Sequence, residues 1–248
     1  MITHAEHVMG TVASITVDQG ARSTAVARGA IEAACAVLHD ADSTYSTFDP
    51  DSPLSCHRRG ELRREELPDT LLEVLERCAA AVRLTGGAFD PWAMPGGFDP
   101  TGLVKGWAAQ RALQQLSAAG LSAGMINAGG DIACFGPAPW RIGVRHPSQP
   151  GQLVCVAGVN CAIATSGGYE RPGEIVDPGD GQPVDRLAQA TVAGPDLGLA
   201  DAYATALVVR GEEGLAMLDD TPYEAVIVTP DGRMLATAGF PIAPPLAA

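Results

Sequence analysis

The chain has 248 residues, 46% of them hydrophobic, enough to bury a substantial core as one domain or two closely packed halves, which excludes disorder. Against 29 Asp and Glu stand only 16 Lys and Arg, and the net charge of -13 repels phosphate backbones and anionic lipid, excluding nucleic acid and membrane surfaces as partners. A small anionic ligand would need metal, backbone N–H groups or a helix N-terminus to offset that field.

The amino terminus has no charged n-region, apolar h-region or lipobox cysteine, and no apolar run reaches membrane-spanning length, so a cytoplasmic location is expected. Alternation of β-branched residues predicts a strand from Val8 to Val17. Residues 20 to 40 are alanine-rich, with Ile31, Ala34, Val37 and Leu38 at helical spacing, and predict a packing helix. From Asp42 to Pro68 turn formers and the charged run RRGELRREE predict a long loop with at most a short ordered piece.

Pro68 then opens a helix with Leu71, Leu75, Cys78 and Val82 on one face and Gly86-Gly87 at its end. A stiff Gly-, Pro- and Asp-Pro-rich loop separates it from a second amphipathic helix ending at Gly120. Residues 124 to 165 predict several short antiparallel strands, and QATVAG near 190 another. The segment LGLADAYATALVV, residues 197 to 209, predicts a helix, followed by a short EEGLAMLDD helix and a hairpin turning on Pro230-Asp231-Gly232. Strands and helices mix without a regular βαβ alternation, which points to an α+β class. The six cysteines, Cys35, Cys56, Cys78, Cys134, Cys155 and Cys161, form no Cys-x-x-Cys pair and lack a His-rich neighbour suited to zinc, so they read as core hydrophobes in a reducing compartment.

Three groups of residues carry candidate chemistry. Gly129-Gly130, inside Asn127-Ala128-Gly129-Gly130-Asp131-Ile132, mark either a turn or the close approach of a ligand. Ala164-Thr165-Ser166-Gly167-Gly168-Tyr169 is either an ordinary turn or a nest of N–H groups for a phosphate. Asp201 and Thr205, four apart, share one helix face, and are either solvated or offer oxygen ligands to magnesium. Neither a GxGxxG after a strand nor a Walker A pattern is present.

Taken in order, MGT at 9 to 11, STFDPDSPLS at 46 to 55, GGAFDP at 86 to 91, FDPTGLVKGWA at 98 to 108, NAGGDI at 127 to 132, ATSGGYER at 164 to 171, IVDPGDGQP at 175 to 183 and LADAYATALVV at 199 to 209 resemble the ApbE family of FAD:protein FMN transferases. The resemblance extends over nearly the whole chain. It implies one domain over residues 1–248, with mostly antiparallel sheets flanked by helices and FAD bound between two closely packed halves. It further implies that a Thr or Ser hydroxyl of a target flavoprotein attacks the FMN phosphorus of FAD while AMP leaves, with magnesium present. The acceptor motif would be Asp-x-x-Ser/Thr-Gly-Ala-Ser/Thr.

By the same matching, Asp201, Thr205 and the Gly102 carbonyl correspond to metal ligands. Met9, Ala88, Phe89, Asp90, Asp99, Lys105 and Ile175 correspond to residues that line the FAD pocket. Phe48 stands where relatives often have Tyr, and its ring can still stack on a flat heterocycle. Ser166 and Gly167 would lie near the phosphates. Glu174 takes the place of a histidine proposed to activate the acceptor, which makes it the candidate base, although a carboxylate is ordinarily the weaker one. The alternatives are an FAD diphosphatase giving FMN and AMP, and a non-catalytic FAD-binding relative.

Overall fold

The computed structural model describes residues 1–168 and 173–244. Strands β1 (Ile2–Val8) and β2 (Thr11–Asp18) form an antiparallel hairpin. Its two turn residues, Met9 and Gly10, both take positive φ, 53° and 66°. The single strand expected from Val8 to Val17 is therefore broken, because the turn places Met where Asn or Asp usually signals this geometry.

Helix α1 (Thr24–Tyr45) starts where the Ser23 side chain accepts from the Val26 N–H, and it runs four residues into the segment expected to be loop. That segment also contains α2 (Pro53–Arg58) and a 3-10 turn at Arg64–Glu66. Helix α3 (Asp69–Leu84) follows Pro68 and stops before Gly86 and Gly87, both at positive φ, as the sequence predicts. Next come α4 (Thr101–Ala118), β3 (Ala123–Ala128), β4 (Asp131–Phe135), β5 (Trp140–Arg145), β6 (Leu153–Val159), β7 (Ala162–Ser166) and β8 (Gln189–Gly194). Helix α5 (Leu197–Arg210), capped by the Asp196 carboxylate on the Leu199 N–H, leads into a 3-10 helix, Gly211–Leu218, and then β9 (Glu224–Val228) and β10 (Met234–Ala236). The last two strands pair across the turn containing Pro230-Asp231-Gly232, as expected.

Eight strands form one antiparallel sheet in the order β1-β2-β3-β4-β7-β8-β9-β10, while β5 and β6 make a separate hairpin. The α+β class is thus the observed one. Helices α1, α4 and α5 cover one sheet face and bury Ile15, Leu38, Leu116, Ile126 and Leu207 in the main core. On the other face a smaller core joins Ile132, Ile163 and Val226 of the sheet to Ile142 and Val144 of the β5–β6 hairpin.

Small residues set the spacing of α4 and α5. A Cβ at Gly106 would lie 2.7 Å from the Leu197 carbonyl oxygen and 3.1 Å from the Gly198 nitrogen, both backbone atoms that cannot swing aside. Gly106→Ala should therefore push α5 away from α4 and cost about 1–3 kcal/mol. Thermal unfolding checks this; an unchanged midpoint would mean that the Gly106 contact does not fix the helix spacing.

Candidate functional site

The turns after β1 and β3 and the carboxyl end of β7 lie at one end of the sheet, beside the first turns of α4 and the middle of α5. The register requires this: Ala13 faces Ala128, Ala128 faces Asp131, and Ile132 faces Ile163. Gly129 and Gly130 are the two turn residues, with φ of 64° and 106°, and a Cβ on Gly129 would come within 2.8 Å of the Thr11 hydroxyl. The turn accounts for both glycines and needs no ligand to explain them.

Directly after that turn stands Asp131, 1% exposed. Its Oδ2 lies 2.7 Å from Lys105 Nζ, and its Oδ1 accepts from the Thr165 N–H at 3.3 Å. Burial pulls the Lys105 pKa down, but the charges of Asp131, Asp201 and Glu174 outweigh it and hold the ammonium above its ordinary pKa. Asp201, on α5, is 4% exposed, and among the described residues its Oδ2 has no hydrogen-bond partner. Burial first, then the Asp131 charge, raises the Asp201 pKa well above the usual carboxylate range; Lys105 opposes this and Glu174 adds to it.

One turn beyond Asp201, Thr205 Oγ1 lies 3.2 Å from Ser166 Oγ at the end of β7. Gly102 closes the group from α4: a Cβ there would stand 3.5 Å from Thr205 Oγ1 and 3.0 Å from the Phe89 ring. At φ -78° and ψ 16° Gly102 departs from helical geometry, which rotates the peptide plane bearing its carbonyl out of the helical array. A partnerless buried carboxylate oxygen, a hydroxyl and a carbonyl offer oxygen donors only, the set that fits a hard divalent cation.

The remaining candidates frame this cluster unevenly. Ala88 and Phe89 are buried, in a loop pinned by Thr85, whose hydroxyl accepts from the Phe89 N–H at 3.2 Å. Asp90 and Asp99 are half-buried and each caps its own turn, accepting from the N–H groups of Trp92 at 2.9 Å and Thr101 at 3.0 Å. Ile175 and Met9 are half-buried against the main core, Met9 at a φ that a non-glycine residue holds only under constraint. Glu174 is exposed yet near enough to act electrostatically on both Lys105 and Asp201. Phe48 is 97% exposed, projected by a turn in which Ser46 Oγ accepts from the Phe48 and Asp49 N–H groups. Gly167 follows Ser166 and is half-buried, while Tyr169 lies outside the described residues.

Asp131 is the functional candidate that sequence reasoning missed. Its signal was its place at the head of a strand buried on both faces, where a carboxylate is costly unless paired. A cavity of about 210 Å³ between the Asn127–Ile132 hairpin and Ile142–Arg145 of β5 lies on the opposite sheet face, the side of Ile132 and Ile163.

A model of the ApbE family matches residues 9–96 and 93–227. The chain is 31% identical over 206 residues to FAD:protein FMN transferase of Treponema pallidum (strain Nichols), covering 70% of this chain and 57% of that protein. It is 34% identical over 148 residues to the protein of that name from Rhodobacter capsulatus, covering 54% of this chain and 28% of that one. The match thus spans only part of each relative. In fold the chain is similar to flavin transferase ApbE from Vibrio cholerae, with a TM-score of 0.80 at 22% identity over 96% of this chain and 97% of that one. The ApbE protein from Thermotoga maritima gives a TM-score of 0.82 at 21% identity, with the same coverage.

Proposed function

The chain belongs to the ApbE family, and from that premise we propose that it transfers FMN from FAD to a Thr or Ser hydroxyl of a target flavoprotein, with magnesium, releasing AMP. The observation that carries this reading is the buried Asp201 Oδ2, without a hydrogen-bond partner among the described residues, one helical turn from a Thr205 hydroxyl that Gly102 approaches from α4. These three would hold magnesium, which when bound neutralises charge on the diphosphate and fixes its orientation. Lys105 keeps its proton and supplies a second positive charge, oriented by Asp131. Ser166 and the N–H groups of Gly167 and Gly168 lie at the open end of β7, where phosphate oxygens would meet them.

In the transfer, the acceptor oxygen forms a bond to the FMN phosphorus, the phosphorus–oxygen bond to AMP breaks, and the hydroxyl proton passes to Glu174. Exposure of Glu174 suits a base that must meet a group on another protein. Phe48, 97% exposed on a fixed turn, gains most by stacking on a flat ring of FAD. Met9, Ala88, Phe89, Asp90, Asp99 and Ile175 are assigned to the remainder of the pocket, between two halves of one domain. The target would carry an Asp-x-x-Ser/Thr-Gly-Ala-Ser/Thr motif. The cysteines among the described residues are all free thiols, which supports a cytoplasmic site of action; no helix there is long and apolar enough to cross a membrane.

Magnesium-dependent AMP release from FAD in the presence of an acceptor protein bearing the target motif, measured for the wild type and Glu174→Gln, tests the reading. The variant should turn over at least about 100-fold more slowly with unchanged FAD affinity. Equal turnover would remove Glu174 from the role of base, and no AMP from the wild type would remove the reading as a whole.

A further inference from the structure

A second cluster of ligand-type side chains lies where the edge strand β1 packs on α1. His4 and Glu6, two apart on the strand, project from one face, and Cys35 and His39, four apart on the helix, share another. The two pairs meet. Glu6 Oε2 is 2.8 Å from His4 Nε2, and Glu6 Oε1 is 2.9 Å from His39 Nε2. The ligand atoms of His4, Glu6 and Cys35 lie within 4.8 Å of one another. Around them is a groove of about 540 Å³, also lined by Arg28 and Glu32, whose opposite charges offset each other.

We propose that His4, Glu6, Cys35 and His39 form a binding site for a zinc-class divalent ion that clamps β1 to α1. Two imidazole nitrogens, a thiolate and a carboxylate are a closed tetrahedral set for zinc, whereas magnesium takes oxygen ligands, so the site is chemically distinct from the one around Asp201. Bonds of about 2.0–2.3 Å to a tetrahedral ion put ligand atoms roughly 3.3–3.8 Å apart. The two imidazole–Glu6 contacts, at 2.8 and 2.9 Å, are shorter than that range, so the side chains must separate there when the ion enters, with His39 turning in to join the three residues whose ligand atoms already lie within 4.8 Å of one another. Glu6 is already a carboxylate, its pKa lowered by His4 and His39. The Cys35 thiol, pushed up to about 11 by burial and the Glu6 charge, gives its proton to solvent as the sulfur–metal bond forms.

Cobalt(II) titration of the full chain, with zinc competition, tests the proposal. The wild type should bind one cobalt with a thiolate charge-transfer band and the visible bands of a tetrahedral ion, displaced by one equivalent of zinc and not by excess magnesium. Cys35→Ser should abolish the charge-transfer band. His39→Ala, at a position 52% exposed and safe for folding, should weaken zinc binding by at least the roughly 10-fold seen when even an outer-sphere partner is lost. Asp201→Asn should leave the spectrum intact. Absence of the bands, their persistence in Cys35→Ser, or their loss in Asp201→Asn would overturn it.

Discussion

Asp201→Asn is expected to abolish the response of the protein to magnesium while making the metal-free protein more stable. The wild-type carboxylate is buried, with one oxygen unpartnered and Asp131 close by, so its charge is held at a cost that asparagine does not carry. The pH dependence has a definite sign. Because the folded pKa lies above the unfolded one, the folded state binds the extra proton between those two values, and stability falls as pH rises through that window. The variant should lose this slope. Thermal unfolding in EDTA at pH about 5 and about 8 reads it out, with the variant's advantage growing at the higher pH. Magnesium should raise the wild-type midpoint, leave that of Asp201→Asn unchanged, and support about 100- to 1,000-fold less AMP release from the variant. Equal stabilisation of both proteins by magnesium would locate the cation elsewhere.

Lys105→Met should be the most destabilising change at the site. It leaves Asp131, 1% exposed, without its ammonium and removes the cation that, among the described residues, opposes the raised pKa of Asp201. Breaking a buried ion pair from one side costs about 3–5 kcal/mol, and the 31% exposure of Lys105 favours the lower figure. For a chain of this length that lowers the melting midpoint by roughly 6–12 °C. Adding Asp131→Asn to Lys105→Met should recover part of the loss, because the buried charge that lost its ammonium is then gone. A loss under about 1 kcal/mol for Lys105→Met would mean that the Lys105 pair is not what stabilises buried Asp131.

The parts of the fold legible in the sequence are those with local signals. Pro68 and Gly86-Gly87 bound α3, LGLADAYATALVV forms most of α5, and Pro230-Asp231-Gly232 turns β9 into β10. Signals that depend on distant partners were not legible. Nothing around Met9-Gly10 resembles a turn until β1 pairs with β2, so the strand read from Val8 to Val17 runs through the turn and leaves most of β1 unread. The sheet order runs from β4 to β7, passing over the β5–β6 hairpin, a choice made by packing on the second core rather than by local propensity.

The site divides in the same way. Asp201 and Thr205 were visible because a helix places residues four apart on one face. Lys105 was assigned to the FAD pocket through its motif, but its salt bridge crosses from α4 to β4, and only the fold brings Asp131 to it. The cluster at Cys35 escaped in part for the same reason: His39 stands four residues away on α1 and was open to sequence reasoning, but His4 and Glu6 belong to β1, and only the fold brings that strand against the helix.

The most direct measurement is the intact mass of a protein bearing the Asp-x-x-Ser/Thr-Gly-Ala-Ser/Thr motif after incubation with this chain, FAD and magnesium, with EDTA as control. The account predicts an acceptor heavier by one FMN, one AMP released per acceptor modified, and neither product in EDTA. AMP and free FMN with an unmodified acceptor, or FAD bound and unchanged, would contradict it.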